Sequence, residues 1–157
     1  MVTLEELQDR ITLTQMQARY AQGVDRIDPS LALPMFTEDV VFGPAKGAKN
    51  YGIGSVRRIV EALVRYDSTH HAMGNVYFAF DHGSLGGERG EMETYAVAVE
   101  SYARAGARVD HVMMIRYRDR LVKGSGRWQV AERIIHHDWV QEAPPPEDNV
   151  SRRGRRE

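Results

Sequence analysis

Apolar positions across residues 3–25 recur at helical spacing. Leu4, Leu7, Ile11, Thr14, Ala18 and Ala21 make one stripe, and Leu13, Met16, Tyr20 and Val24 make a second. Two stripes on one helix predict burial on two sides. Thr3 followed by Glu6 is a capping-box pattern at its start. Asp28-Pro29-Ser30 ends this unit. A short helix over 29–36 follows, with Pro29 tolerable in its first turn and Pro34 limiting its regularity. Val40-Val41-Phe42 predicts a short strand. Residues 43–54 hold four glycines and one proline and read as a loop. From Ser55 to Tyr66 the helical spacing returns through Val56, Ile59, Val60 and Leu63, predicting a third helix.

From residue 69 the period changes to two. Strand-like stretches at 69–81, 90–104, 108–122 and 127–140 are separated by Gly83–Gly90, Ala105–Ala107 and Lys123–Gly126. Consecutive short turns predict an antiparallel meander. Helices first and a curved antiparallel sheet afterwards is an α+β layout. A sheet that curls around the long helix leaves a conical pocket between them. From Ala143-Pro144-Pro145-Pro146 to residue 157 the composition is that of a disordered tail, so one domain over 1–142 is expected.

At 157 residues with 42% hydrophobic, the chain can build one core without disulfide or metal staples. Its 21 Lys+Arg against 22 Asp+Glu exclude a strongly basic nucleic-acid binder. The absence of cysteine removes disulfide scaffolds, thiolate metal sites and thiol nucleophiles together. The start is amphipathic and acidic, unlike a signal peptide. No run approaches the ~18–20 apolar residues of a membrane span. The expectation is a cytoplasmic protein with neither membrane nor nucleic-acid partner.

Asp25 lies four positions past Ala21 and continues an apolar stripe, so its carboxylate is expected to face inward with a partner. The alternative is a helix-end residue bonding to the turn around Asp28. His70 and His71 are adjacent on a predicted strand, point to opposite faces and cannot share a role. An inward imidazole oriented by a carboxylate is a general base, and histidine titrates in the range that suits proton abstraction. An isolated strand histidine is otherwise a structural residue. On the last strand Arg133, Ile135 and His137 share one face, and Glu132, Ile134 and His136 the other; His111, Met113, Ile115 and Tyr117 share a face of the strand before it. A metal would have to gather His71, His111 and His137, and neither His-x-His nor His-Glu-x-x-His occurs, so no metal or cofactor is expected. Gly83 to Gly90 lacks the Gly-Lys-Ser/Thr ending of a phosphate loop and reads as a hairpin loop. Arg152-Arg153-Gly154-Arg155-Arg156 reads as a solvated basic end.

Several runs taken in order resemble SnoaL-like proteins of the NTF2-like superfamily. They are Leu7-Gln8-Asp9-Arg10-Ile11, Arg19-Tyr20-Ala21 with Val24-Asp25, Leu33 to Val40, Thr69-His70-His71 with Gly74-Asn75-Val76, and Gly126-Arg127-Trp128 with Val130 and Arg133. The resemblance covers about residues 4–140 and implies a cone-shaped barrel, with three N-terminal helices packed on a strongly curved antiparallel sheet. It is strongest to the branch of scytalone dehydratase, hexachlorocyclohexane dehydrochlorinase and bile-acid dehydratase, which uses an Asp–His dyad. Carried over, the dyad is Asp25 and His71, since His71 stands four before Asn75. Tyr20 stands where the dehydrochlorinase has a lysine. Departures from scytalone dehydratase are Val24, Phe42 and Val99, each where that enzyme has a polar ring, which argues against scytalone itself.

The resulting expectation is a cofactor-independent lyase of dehydratase type. His71 is its base, Asp25 orients His71, and Tyr20 assists the leaving group or an enolate oxygen. Met73, Tyr95, Val97, Val99, Met113 and Ile135 are expected as apolar walls for a hydrophobic cyclic substrate. His111 and His137 are expected beside them, and Arg133 as the charge for an anionic group. An isomerase or aldol-type cyclase on the same dyad, or a non-catalytic small-molecule-binding or partner subunit, are the alternatives. A homo-oligomer, dimer or trimer, is expected in each case.

Overall fold

The computed structural model describes residues 2–81 and 88–143. The expected hairpin loop at 82–87 and the tail from residue 144 lie outside the described residues. Helix α1 runs Leu4–Arg26, and Thr3 Oγ1 accepts from the Glu6 backbone N–H at 3.1 Å, as the capping pattern predicts. It stops because Ile27 turns left-handed at φ 54°, sending its N–H back to Gly23 and Val24 carbonyls. Gly23 lets the next segment close on the helix: a Cβ there would sit 2.6 Å from Ala32 N.

The helix buries one side, not two. Asp9, Leu13, Gln17, Tyr20 and Val24 are buried, whereas Leu4, Leu7 and Ile11 are exposed. The sheet curls round the stripe of Leu13, Tyr20 and Val24, and no described segment covers the N-terminal part of the stripe that begins at Leu4. Asp28 caps the short helix α2, Pro29–Ala32, by accepting from Ser30 N at 2.9 Å. A 3-10 turn, Leu33–Met35, leads into strand β1, Phe36–Pro44. That strand starts four residues earlier than the sequence suggests, because Phe36 already pairs with Val130. A two-residue strand β2, Asn50–Tyr51, lies inside the expected loop, and α3 follows as Ile53–Ala62, with a 3-10 turn at Leu63–Arg65.

The meander comprises β3 (Ser68–Asp81), β4 (Glu88–Arg104), β5 (Ala107–Gly124) and β6 (Arg127–Ala143). The six strands run in the order β2-β1-β6-β5-β4-β3. All neighbours are antiparallel except β1 and β6, which are parallel. The sheet is therefore mixed: β2, α3 and the rest of the meander separate β1 from β6 in the chain, and no hairpin joins them. Register shifts at Met73/Val76, Met114/Ile115 and Arg120/Leu121 bend the long strands into a curl. Along β4 the inner face carries Met92, Thr94, Ala96 and Ala98, all buried, and the outer face carries Tyr95, Val97 and Val99. Among the described residues no helix is long and apolar enough to cross a membrane.

Candidate active site

Asp25 sits in the last turn of α1, where the helix end meets the start of β3. Its two oxygens divide their work on one residue. Oδ2 accepts the His71 backbone N–H at 3.0 Å, and Oδ1 lies 2.7 Å from His71 Nδ1. Strand position and ring orientation are thus held by the same carboxylate. Because Asp28 is engaged with Ser30, Asp25 is free for this role. A carboxylate on Nδ1 assigns the proton to that nitrogen and leaves Nε2 as the acceptor. The neighbouring histidine shows what the strand alternation does. The His71 side chain is 8% exposed and that of His70 is 77% exposed, with its Nδ1 4.0 Å from Asp25 Oδ2.

His71 opens into a cavity of about 140 Å³. That is close to the ~150 Å³ apolar cavity known to hold benzene, so it has room for a single ring. Val24 and Tyr20 of α1, Phe42 of β1, Ala98 of β4 and Met113, Ile115 and Tyr117 of β5 line it, with Ile135 and His137 of β6. Val56, Ile59, Val60 and Leu63 of α3 and its following turn form the opposite wall. A larger concavity of about 410 Å³ lies on the outer face of the sheet, among Glu93, Arg118, Arg120 and Glu132. Its charges pair with one another, Arg118 with Glu93 at 3.5 Å and Arg120 with Glu132 at 3.3 Å. His71 lines the smaller cavity and not this one.

Behind Tyr20 and Tyr117 lies a buried cation. Arg133 donates to both oxygens of Asp119 at 2.7 and 2.6 Å and to Gln17 Oε1 at 2.8 Å. Its guanidinium carbon lies 4.5 Å from the ring centroids of both tyrosines and 5.3 Å from that of Phe36. Burial would discharge it, but the Asp119 carboxylate outweighs burial and holds its pKa above the usual guanidinium range. Burial raises the pKa of both phenols. Arg133 opposes the rise, but both remain above the ordinary tyrosine value. At neutral pH they are uncharged hydrogen-bond donors.

The structure brings His71, Asp25 and Tyr20 together and places Met113, Ile135 and His137 on the cavity wall. Six residues expected around the substrate, four of them as apolar walls, do not line the cavity. Tyr95, Val97 and Val99 are on the outer face, since along this stretch β4 turns Ala96 and Ala98 inward. Met73 packs against the core beside the cavity without lining it. His111 shares the face of Met113 but is taken up by Glu100, 3.6 Å away. Arg133 is fully buried behind the tyrosines and neutralised by Asp119, so it is not offered to an anionic group. Sequence reasoning missed Val24, Phe42, the α3 wall, Ala98, Glu100, Ile115 and Tyr117. The last two share the face of Met113 and could have been read from it by counting in twos.

A family profile described as a SnoaL-like domain matches residues 5–134. No curated protein gives a significant match. Among solved structures, a hexachlorocyclohexane dehydrochlorinase of type 3 from Novosphingobium barchaimii is similar with a TM-score of 0.78 at 11% identity, over 94% of this chain and 99% of that one. A provisionally assigned scytalone dehydratase from Novosphingobium aromaticivorans is similar at 0.74 and 18% identity, over 98% of each chain. An NTF2-like protein with a cystatin-like fold from the same species is similar at 0.67 and 17% identity, over 88% of this chain and 92% of that one. At such identities the likeness is one of fold.

Proposed function

We propose that this chain, which belongs to the SnoaL-like domain family, is a cofactor-independent lyase that eliminates water from a small hydrophobic ring. One observation carries the reading: a histidine held through Nδ1 by a carboxylate at 2.7 Å, with its ring against an apolar cavity. Its free nitrogen takes a proton from a carbon next to a carbonyl. The C–H electron pair becomes the new double bond and the C–O bond breaks. The hydroxyl leaves as water with a proton from Tyr20, which His71 then restores. Asp25 stabilises the imidazolium formed between these steps. The neutral phenol of Tyr117, which donates to that of Tyr20, and the buried Arg133 behind them favour the negative charge that develops on Tyr20 as its proton leaves. The dehydratase and dehydrochlorinase folds among the similar structures agree with an elimination.

The test is turnover of a panel of cyclic β-hydroxy carbonyl compounds, followed by product mass, in the native chain and in His71→Ala and Asp25→Asn. Loss of water in the native chain, abolished in both folded variants, is expected. Turnover unchanged in the variants overturns the dyad. A product of unchanged mass replaces elimination with isomerisation on the same base.

A further inference from the structure

The cavity contains a charge that the elimination does not use. Among the described residues that line it, Glu100 is the one carboxylate. Its side chain is 15% exposed, so it has given up most of its water and needs other donors. His111 Nδ1 lies 3.6 Å away on one side. On the other side stands the Tyr66 hydroxyl, whose oxygen accepts from Arg65 Nη2 at 3.0 Å. Two neighbours do not fill a carboxylate, which accepts at about four sites. Ala98 and Met113, which pair across β4 and β5 beside it, carry no donor. The unfilled acceptor sites of Glu100 therefore face a space with room for one ring.

We propose that Glu100 determines specificity: the cavity takes an uncharged single-ring molecule whose hydroxyl donates to Glu100, and it rejects ring carboxylates. A hydroxyl satisfies the carboxylate at no electrostatic cost. A second anion in the same dry space meets repulsion that water does not screen. The inference rests on reading the cavity as a substrate site, and it deepens that reading by naming what the substrate presents away from His71.

The probes are cyclohexanol and cyclohexanecarboxylate, neither of which carries a proton acidified for elimination. Their dissociation constants are measured by NMR titration at neutral pH against the native chain, Glu100→Gln and Glu100→Leu. The native chain is expected to prefer the alcohol by about tenfold or more, the scale of a hydrogen bond to a charged group. Both variants are expected to reduce that preference to about threefold or less. Glu100→Gln is nearly isosteric and keeps the test valid if Glu100→Leu fails to fold. Equal binding of the two probes, binding of neither, or a preference unchanged in the folded variants overturns the proposal. A preference for the alcohol without turnover of any hydroxy ketone keeps it and ends the lyase reading. Turnover without the preference does the reverse.

Discussion

Arg133 and Arg116 stand on opposite faces of one sheet, each bound to an aspartate across the β5–β6 pair. Inside, Arg133 grips Asp119 at 2.6 Å with both side chains fully buried. Outside, Arg116 grips Asp138 at the same 2.6 Å, with side chains 27% and 39% exposed. The bonds are alike in length and differ in consequence. The inner pair is shut away from water, so each charge depends on the other. The outer pair has water as an alternative partner. His71 and His70 repeat the contrast on β3, one ring held in the cavity and the other in solvent. Neither residue type nor hydrogen-bond length separates structural or functional from incidental groups here; the face of the sheet does.

The largest expected effect breaks the histidine contrast. His71→Ala lowers kcat/KM on a cyclic β-hydroxy ketone by about 10²–10⁴-fold, while His70→Ala leaves it unchanged. Next comes the arginine contrast. Asp119→Ala leaves Arg133 buried without its counter-charge and costs roughly 3–5 kcal/mol in urea unfolding. Asp138→Ala, measured in the same way, moves the midpoint far less. Gln17→Leu sharpens the inner side further. It removes the acceptor of Arg133 Nη2 and the donor to Thr94 Oγ1, both at 2.8 Å, and costs about 1–3 kcal/mol. The smallest effect concerns pH. The hydrogen bond from Arg116 holds the Asp138 carboxyl below its ordinary pKa. Its contribution is present above the unfolded carboxylate's pKa and is lost as pH falls through the lowered folded value. Asp138→Asn should therefore flatten the acid limb of a stability–pH curve slightly, and a steeper limb would contradict this assignment.

Much of the fold is legible in the period of the chain. The helical spacing of α1 and α3 and the alternation of β3 to β6 both appear in the structure, because each element has one buried side that imposes its repeat. Which side is buried was harder to read. On α1, Leu4, Leu7 and Ile11 are as apolar as the stripe that packs, but only the latter meets the sheet. On β4 the branched valines sit outside, and the inner positions hold alanines and Glu100. Small residues leave the hollow its volume, so a search for large apolar side chains picks the wrong parity. The pairing of Asp25 with His71 spans 46 positions. Local spacing cannot show such a contact; only the likeness of several ordered motifs to a known family suggested it. The parallel joining of β1 to β6 is equally long-range and leaves no local mark.

The wall formed by α3 separates two properties that many enzymes entangle. Val56, Ile59, Val60 and Leu63 bound the hollow, yet none of them is hydrogen-bonded through its side chain to the dyad or to the arginine network. Randomising these four codons alone would yield a library in which the size and outline of admitted molecules vary while His71, Asp25 and Tyr20 stay untouched. Lineages sharing this architecture could diversify their diet by editing about two turns of chain along α3 and the 3-10 turn after it.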